Sequence, residues 1–334
     1  MTKLGVVIPY FQREPQILSD AVASVLRQNL PPDCTVHIII IDDESPISAT
    51  NELAGMRCPP SFDVHIVWQA NAGPGAARNA ALDELDRLAI DFVAFLDSDD
   101  IWRPDHLRTA LFALGSDADF YFSNHTRFNI ATSFFEDKTS TESALSSNSG
   151  VERFGPPSGN IYQWTSTYAA EAFAQEYVSQ TSTVVARWEK ARALRFDTEL
   201  RNAGEDALFW IDLALVSRKI KFSKNALVHC GRGINIFHGT YNWHSRAGTD
   251  KFGYLVLMAA KIRTRGVMGQ RSKNNAEKAE LIFSYLTIRG LFRGRAPNPT
   301  LLRSLLAANP IAVLRMPLRF FQYLIIRKRI DWSK

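Results

Sequence analysis

Through its first 125 residues the chain alternates short apolar runs with amphipathic stretches, and this alternation limits the fold more than any other feature. Leu4–Pro9, Val36–Ile41, Val64–Trp68 and Phe92–Leu96 are each five or six residues long and mostly apolar. Runs of that length, flanked by charges and turn residues, read as strands. Between them Pro15–Gln28 carries Ile17, Leu18, Ala21, Val22, Val25 and Leu26 on one helical face. Pro74–Leu88 reads as a second helix with proline near its first turn, and Pro104–Leu114 as a third. Phe120–Phe122 reads as a short fifth strand. Strands that are apolar throughout need cover on both faces, so the expected architecture is an α/β fold with a mostly parallel sheet between helices.

Three strands end in polar groups: Tyr10-Phe11-Gln12-Arg13, Asp42-Asp43 and Asp97-Ser98-Asp99. In a parallel sheet these groups gather along one edge, where ligands of open α/β sheets bind. The densest is Leu96-Asp97-Ser98-Asp99-Asp100, with three carboxylates in four residues. Such carboxylates repel one another unless positive charge sits among them. A divalent cation, Mg²⁺ or Mn²⁺, holding a phosphorylated ligand is the economical explanation. A solvated acidic turn that caps the following helix is the alternative.

The net charge of +5 is unevenly spread. Residues 1–260 hold 23 Lys and Arg against 31 Asp and Glu, whereas residues 261–334 hold 16 against 3. A segregated basic segment meets an anionic surface, membrane or nucleic acid. Three isolated cysteines, Cys34, Cys58 and Cys230, lack metal-ligand spacing and point to a reducing compartment without a zinc site. The first strand begins almost at once and no apolar run reaches eighteen residues, so a leader and a membrane span are not expected. The expectation is a cytoplasmic protein.

Val6-Val7-Ile8-Pro9-Tyr10-Phe11, Ser24-Val25-Leu26-Arg27-Gln28 and Ile41-Asp42-Asp43-Glu44-Ser45 resemble the opening of inverting family 2 glycosyltransferases. Asn71-Ala72-Gly73-Pro74-Gly75-Ala76-Ala77-Arg78-Asn79-Ala80 and Phe95 through Pro104 continue the resemblance in order and spacing, over about residues 4–125. It resumes at Gly204-Glu205-Asp206-Ala207-Leu208-Phe209-Trp210, similar to the family's acceptor-side Glu-Asp motif before a helix. The Pro-Tyr-Phe-Gln-Arg-Glu-Pro and Asp-Asp-Glu-Ser-Pro details are similar to glucosyltransferases of succinoglycan-type exopolysaccharide assembly.

The resemblance implies a GT-A fold, Rossmann-like, with a nucleotide-sugar donor and a divalent metal, Mn²⁺ or Mg²⁺. It implies that Pro9, Phe11 and Asp43 contact the nucleoside, Asp97 meets the ribose or donor sugar, and Asp99 binds the metal. Arg78, early in the helix opened by Gly73-Pro74-Gly75, stands where backbone N–H groups favour an anion; an exposed helical arginine is the alternative. Asp42 is expected to bond nearby backbone, and Asp100 to cap the turn into Trp102-Arg103-Pro104. Asp206 is the candidate general base, taking the proton of an acceptor hydroxyl; the alternative is a helix cap or dipole partner. Glu205 would orient its neighbours.

Residues 136–160, rich in Ser, Thr, Gly, Pro and Asn, read as a mobile loop or small insertion. Thr181–Val185 and Ile220–Val228 read as strands. His238 or His244 is a candidate to complete a metal site, with a loop position as the alternative. Trp164, Trp210 and Trp243 are candidates to stack on sugars or to pack the core. Near the C-terminus, Leu314, Leu318, Phe321 and Ile325 share one helical face, with Arg315, Arg319 and Gln322 on another and Arg327-Lys328-Arg329 following. Pro317 should kink that helix. Residues 311–329 therefore suit an anionic membrane surface; a helix docked on the protein is the alternative, and nucleic-acid binding is not expected.

The expected organisation is a glycosyltransferase domain over 1–250, with a nucleotide-sugar half (1–125) and an acceptor half (160–250), then a basic helical extension (251–334). The expected reaction moves glucose from UDP-glucose to a lipid-linked oligosaccharide of an exopolysaccharide, at the inner face of the cell membrane. A lipopolysaccharide or capsule acceptor with another donor, and a noncatalytic sugar-nucleotide-binding scaffold, are the alternatives. A nucleotidyltransferase would need a Gly-rich phosphate loop after the first strand, and Pro9-Tyr10-Phe11 is not one.

Overall fold

A computed structural model describes residues 1–137, 145, 150–155, 160–201, 204–231 and 245–326. His238, His244, Trp243, Arg327-Lys328-Arg329 and most of the Ser/Thr-rich 136–160 stretch lie outside the described residues. The chain forms two compact units: residues 1–196 with 209–234, and residues 197–208 with 235–334.

Among the described residues the first unit holds ten strands: β1 (Thr2–Tyr10), β2 (Cys34–Asp43), β3 (Phe62–Gln69), β4 (Phe92–Phe95), β5 (Ile101–Trp102), β6 (Phe120–Arg127), β7 (Val151–Phe154), β8 (Ile161–Thr165), β9 (Val185–Arg187) and β10 (Lys219–Cys230). The sheet runs β3-β2-β1-β4-β9-β6-β10-β8-β7, and β5 pairs with β10. β3, β2, β1 and β4 are parallel, as the apolar runs require. Beyond β4 the sheet is mixed: β9 lies antiparallel to both β4 and β6, β10 is parallel to β6, and β8 and β7 follow antiparallel. Two expectations are corrected here. Thr181–Thr183 is a turn of 3₁₀ helix and the strand starts only at Val185, because those hydroxyl-bearing residues bond locally. The fifth strand runs eight residues to Arg127 rather than stopping at Phe122, held by β10 along its whole length.

Helices α1 (Ile17–Leu26), α2 (Ala49–Glu52), α3 (Pro74–Leu85) and α4 (His106–Leu114) follow the first parallel strands. α1 buries Leu18, Ala21, Val22 and Val25, the apolar face read from the sequence. These residues join Val6, Ile8, Ile38 and Ile40 in one core cluster. α3 starts at Pro74 after Gly73, whose φ of 91° suits glycine. It crosses β1 so closely that a methyl at Gly5 would sit 2.3 Å from a Leu85 methyl. A second aromatic core, Phe120, Phe122, Trp164, Phe173 and Phe222, fills the mixed half. Trp164 and Trp210 are therefore core residues.

The second unit is helical: Arg246–Thr264, Gln270–Leu291, Pro299–Ala308, Pro310–Leu314 and Met316–Ile326. Ile282, Leu286 and Tyr323 form its core with Phe252, Leu281 and Tyr285. Lys261 bridges Asp197 and Glu199 at 2.6 and 2.5 Å, tying the 197–208 segment to these helices. The chain breaks at Arg315 and restarts with Pro317 in the next helix's first turn. Met316 and Tyr323 face inward, while Leu314, Leu318, Phe321 and Ile325 are exposed. No helix among the described residues is long and apolar enough to cross a membrane.

Candidate active site

β4 ends at Phe95, and the chain turns at once, with the Asp100 N–H donating to the Asp97 carbonyl at 3.0 Å. The three carboxylates meet different surroundings. Asp97 accepts from Arg78 Nη2 at 2.7 Å and from Gln180 Nε2 at 3.3 Å, and its N–H donates to Ser182 Oγ at 2.9 Å. Arg78 is buried in α3 beside the Phe196 ring, so the structure places it against a carboxylate rather than on the surface. Asp100 is buried; it accepts from Ser182 Oγ at 2.6 Å, Gln180 Nε2 at 2.7 Å and the Gly231 N–H at 2.9 Å. None of these bonds caps the Trp102–Pro104 turn, so that expectation is corrected. Burial and the charges of Asp99 and Asp97 push the Asp100 carboxyl well above its usual range.

Asp99 differs from both. Among the described residues no cationic side chain pairs with it. Burial, and then the Asp97 charge, raise its pKa to about 6. The backbone is tight: a Cβ at Gly231 would lie 1.7 Å from the Asp99 carbonyl oxygen, so only glycine fits. Among the described residues the cluster thus gathers negative charge with Arg78 as the one cationic side chain paired to it. Oxygen donors with surplus charge match Mg²⁺ or Mn²⁺, so the residues present fit such an ion.

The neighbouring strand ends complete this edge. Gln12 is buried after β1 and donates from Nε2 to Ser98 Oγ at 3.2 Å, while its N–H donates to Ser45 Oγ. Pro9 pairs in register with Ile41, and Phe11 is half-buried under the Arg13 guanidinium. Asp42 bonds the N–H groups of Ser45 and Ala49, each at 2.8 Å. Asp43 accepts from Gln69 Nε2 at 2.6 Å and from the Ala72 and Gly73 N–H groups at 2.9 Å. Its carboxylate therefore shapes the β3–α3 turn, with three of about four lone-pair sites used.

Asp206 belongs to the second unit, in the first turn of the helix Glu205–Val216, and accepts from the Ala207 N–H at 2.7 Å. Further along that helix, in the first unit, Phe209 stacks on Phe196 at 4.0 Å and Trp210 packs edge-on to Phe95.

Sequence reasoning placed Gln12 on this edge and missed Gln180, Ser182 and Gly231. Gln180-Thr181-Ser182-Thr183 carried a signal, since four consecutive polar residues fit a buried strand poorly. A glycine directly after a long strand, at 231, was another.

A parallel α/β half that gathers carboxylates at its strand ends places its candidate ligand site along that edge. Residues 5–177 match the model of Glycosyl transferase family 2. The succinoglycan biosynthesis protein ExoW of Rhizobium meliloti (strain 1021) is 37% identical over 297 residues, which cover 85% of this chain and 84% of that protein. The succinoglycan biosynthesis protein ExoM of the same organism is 25% identical over 65% of this chain and 63% of its own length. Among solved structures, S. aureus TarS residues 1–349 in complex with UDP-GlcNAc superpose with a TM-score of 0.57 at 17% identity, covering 96% of this chain and 89% of that one. The fold is GT-A-like, and the chain belongs to glycosyl transferase family 2.

Proposed function

We propose that this glycosyltransferase is metal-dependent and inverting, and that it moves glucose from UDP-glucose onto a lipid-linked oligosaccharide during bacterial exopolysaccharide synthesis. The observation that carries the donor half is Asp99, a half-buried carboxylate beside Asp97 and Asp100 that has no cationic partner among the described residues. The uridine nucleotide rests on the family and on the UDP-GlcNAc and UDP complexes of the TarS neighbours. The product class rests on the relatives named for succinoglycan biosynthesis.

In this reading Asp99 holds the Mn²⁺ or Mg²⁺ ion, with Asp97 turned toward the ribose or donor sugar by Arg78 and Gln180. Such an ion, when bound, stabilises negative charge on a departing diphosphate. Pro9 and Phe11 flank the nucleoside, and the remaining acceptor site of Asp43 takes an N–H of the base. Asp206 removes the proton of the acceptor hydroxyl as the new glycosidic bond forms and the bond to the nucleotide breaks. General bases of this kind contribute about 10²–10⁴-fold.

The acceptor would be met at a membrane surface, with the protein peripheral on its cytoplasmic face. Ile311, Leu314, Leu318, Phe321 and Ile325 recur at helical spacing and are all exposed, with Arg315 exposed between them. A wide apolar face edged by arginine suits the headgroup–acyl boundary of an anionic bilayer. The helix also docks through Met316 and Tyr323, so docking and an outward apolar face coexist.

The deciding experiment is nucleotide release from UDP-, GDP- and dTDP-sugars with Mn²⁺ or chelator and a membrane lipid extract, for wild type and Asp206→Asn. Metal-dependent release from UDP-glucose, lost in the variant, is expected. Release from another donor would redirect the reading to a lipopolysaccharide or capsule sugar. Metal-dependent binding without turnover would favour a scaffold, and no nucleotide binding would end it.

A further inference from the structure

Away from the carboxylate edge, three side chains on the first two strands of the sheet converge on one point. His37 on β2 is the register partner of Asp63 on β3, and His65 follows Asp63 by two residues. Period-two alternation therefore puts all three on one face of the sheet. A single oxygen, Asp63 Oδ2, lies 2.6 Å from His65 Nε2 and 3.5 Å from His37 Nδ1. One ligand atom from each residue fits within 4.8 Å of the others. His37 Nδ1 is shut off from solvent and makes no hydrogen bond among the described residues. Six residues of β2 separate His37 from Asp43, about 20 Å at ~3.3 Å per residue, so this cluster is distinct from the candidate active site.

We propose that His37, Asp63 and His65 form a second metal site, which takes zinc or a similar borderline divalent ion. Two imidazoles and one carboxylate leave a fourth position for water, the donor set and count of open zinc sites. The carboxylates of the candidate active site offer oxygen donors, which suit Mn²⁺ or Mg²⁺, whereas this cluster is dominated by imidazole nitrogen, so the two sites differ in donor chemistry. Strand β3 ends the sheet order, so it is an edge strand among the described residues. An ion held from both strands would pin that edge to β2 and add its binding energy to the fold. The donors sit on paired strands rather than on a loop, so little chain ordering opposes binding.

The test uses tag-free, chelator-stripped full-length protein and Zn²⁺ itself, followed by calorimetry and by thermal unfolding. Co²⁺ serves as a visible-absorption probe of imidazole ligation. Wild type should bind one Zn²⁺ with micromolar or tighter affinity and gain thermal stability. Asp99→Asn, which alters the carboxylate edge, should retain that binding. His65→Ala should weaken it at least tenfold and lose the Zn²⁺-induced stabilisation; His65 is partly exposed, so the variant should fold. Asp63→Asn, at a more exposed position, should behave in the same direction. Equal Zn²⁺ affinity in wild type and both variants would overturn the site. Loss of binding in Asp99→Asn would also overturn it, by moving the ion to the carboxylate edge.

Discussion

In β1 and β2 the side chains of Val6, Ile8, Ile38 and Ile40 are fully buried, while in the last helices Leu314, Leu318, Phe321 and Ile325 are 59–77% exposed. The residue types are nearly the same. Each buried side chain in the strands contributes roughly 1.5–3 kcal/mol by leaving water. The exposed ones forgo that gain as long as nothing covers them. Charge follows the same division, with acidic groups at the strand ends and arginines around the exposed face. The strands use apolar residues for folding; the terminal helices leave theirs exposed among the described residues, the feature on which the proposed membrane contact rests.

The largest expected effect separates binding from chemistry. Asp206→Asn should lower turnover about 10²–10⁴-fold while leaving nucleotide-sugar affinity nearly unchanged, as read by steady-state kinetics beside calorimetry. A variant with near-normal turnover would remove Asp206 as the base. Next comes the apolar comparison itself. Ile8→Ala should cost about 2–5 kcal/mol in urea unfolding, whereas Leu318→Ala should stay within about 0.5 kcal/mol. Equal costs would mean that the terminal face is packed rather than exposed.

Replacing Leu314, Leu318, Phe321 and Ile325 together by serine should abolish flotation with anionic vesicles while keeping the fold. Truncation is a poorer test, because Met316 and Tyr323 contribute to the second unit's interior. Persistent flotation of the fourfold variant would defeat the membrane reading.

The carboxylate edge makes a smaller, pH-dependent prediction. The folded-state pKa of Asp99, about 6, lies above its ordinary 3.8. Between those values the native chain holds a proton that the unfolded chain has released. This group's contribution to stability is therefore present at lower pH and lost as pH rises through about 6. If Asp99 holds the cation as proposed, the cation replaces the proton, and Mn²⁺ should raise the melting temperature more at pH 7.5 than at pH 5. Affinity should fall about tenfold per pH unit below 6 if one proton competes. A pH-independent Mn²⁺ shift would exclude Asp99 from the site. The smallest change is expected from Gln180→Ala, which removes two side-chain bonds to Asp97 and Asp100. Mn²⁺ affinity should drop by a few-fold, with each lost bond costing about 0.5–1.5 kcal/mol.

Local pattern made the parallel half legible. Short apolar runs flanked by charges and turn residues read as strands covered on both sides, and the carboxylates that end β2 and β4 follow from the same reading. Asp42 was also legible, because an aspartate after a strand bonds backbone a few residues on. The partners of Asp97 and Asp100 were not. Gln180 and Ser182 lie eighty or more residues from that turn, and Gly231 lies 131 from Asp100. Their arrival depends on β9 and β10 joining the sheet, which no short window encodes. The expected strand at Thr181–Val185 failed for a related reason: Gln180 turns back on the Ser182 N–H and starts a 3₁₀ turn.

By itself the sequence determined the alternation of strand and helix, the parallel character of the N-terminal strands, the acidic strand ends and the segregated basic segment. These are properties of period and neighbourhood, carried within a few residues of chain. Tertiary structure alone decided that Arg78 is buried against Asp97, that His37 meets Asp63 and His65, and which face of Met316–Ile326 points inward. Each of those outcomes sets desolvation against a partner from a distant segment, and a one-dimensional pattern does not contain that distance.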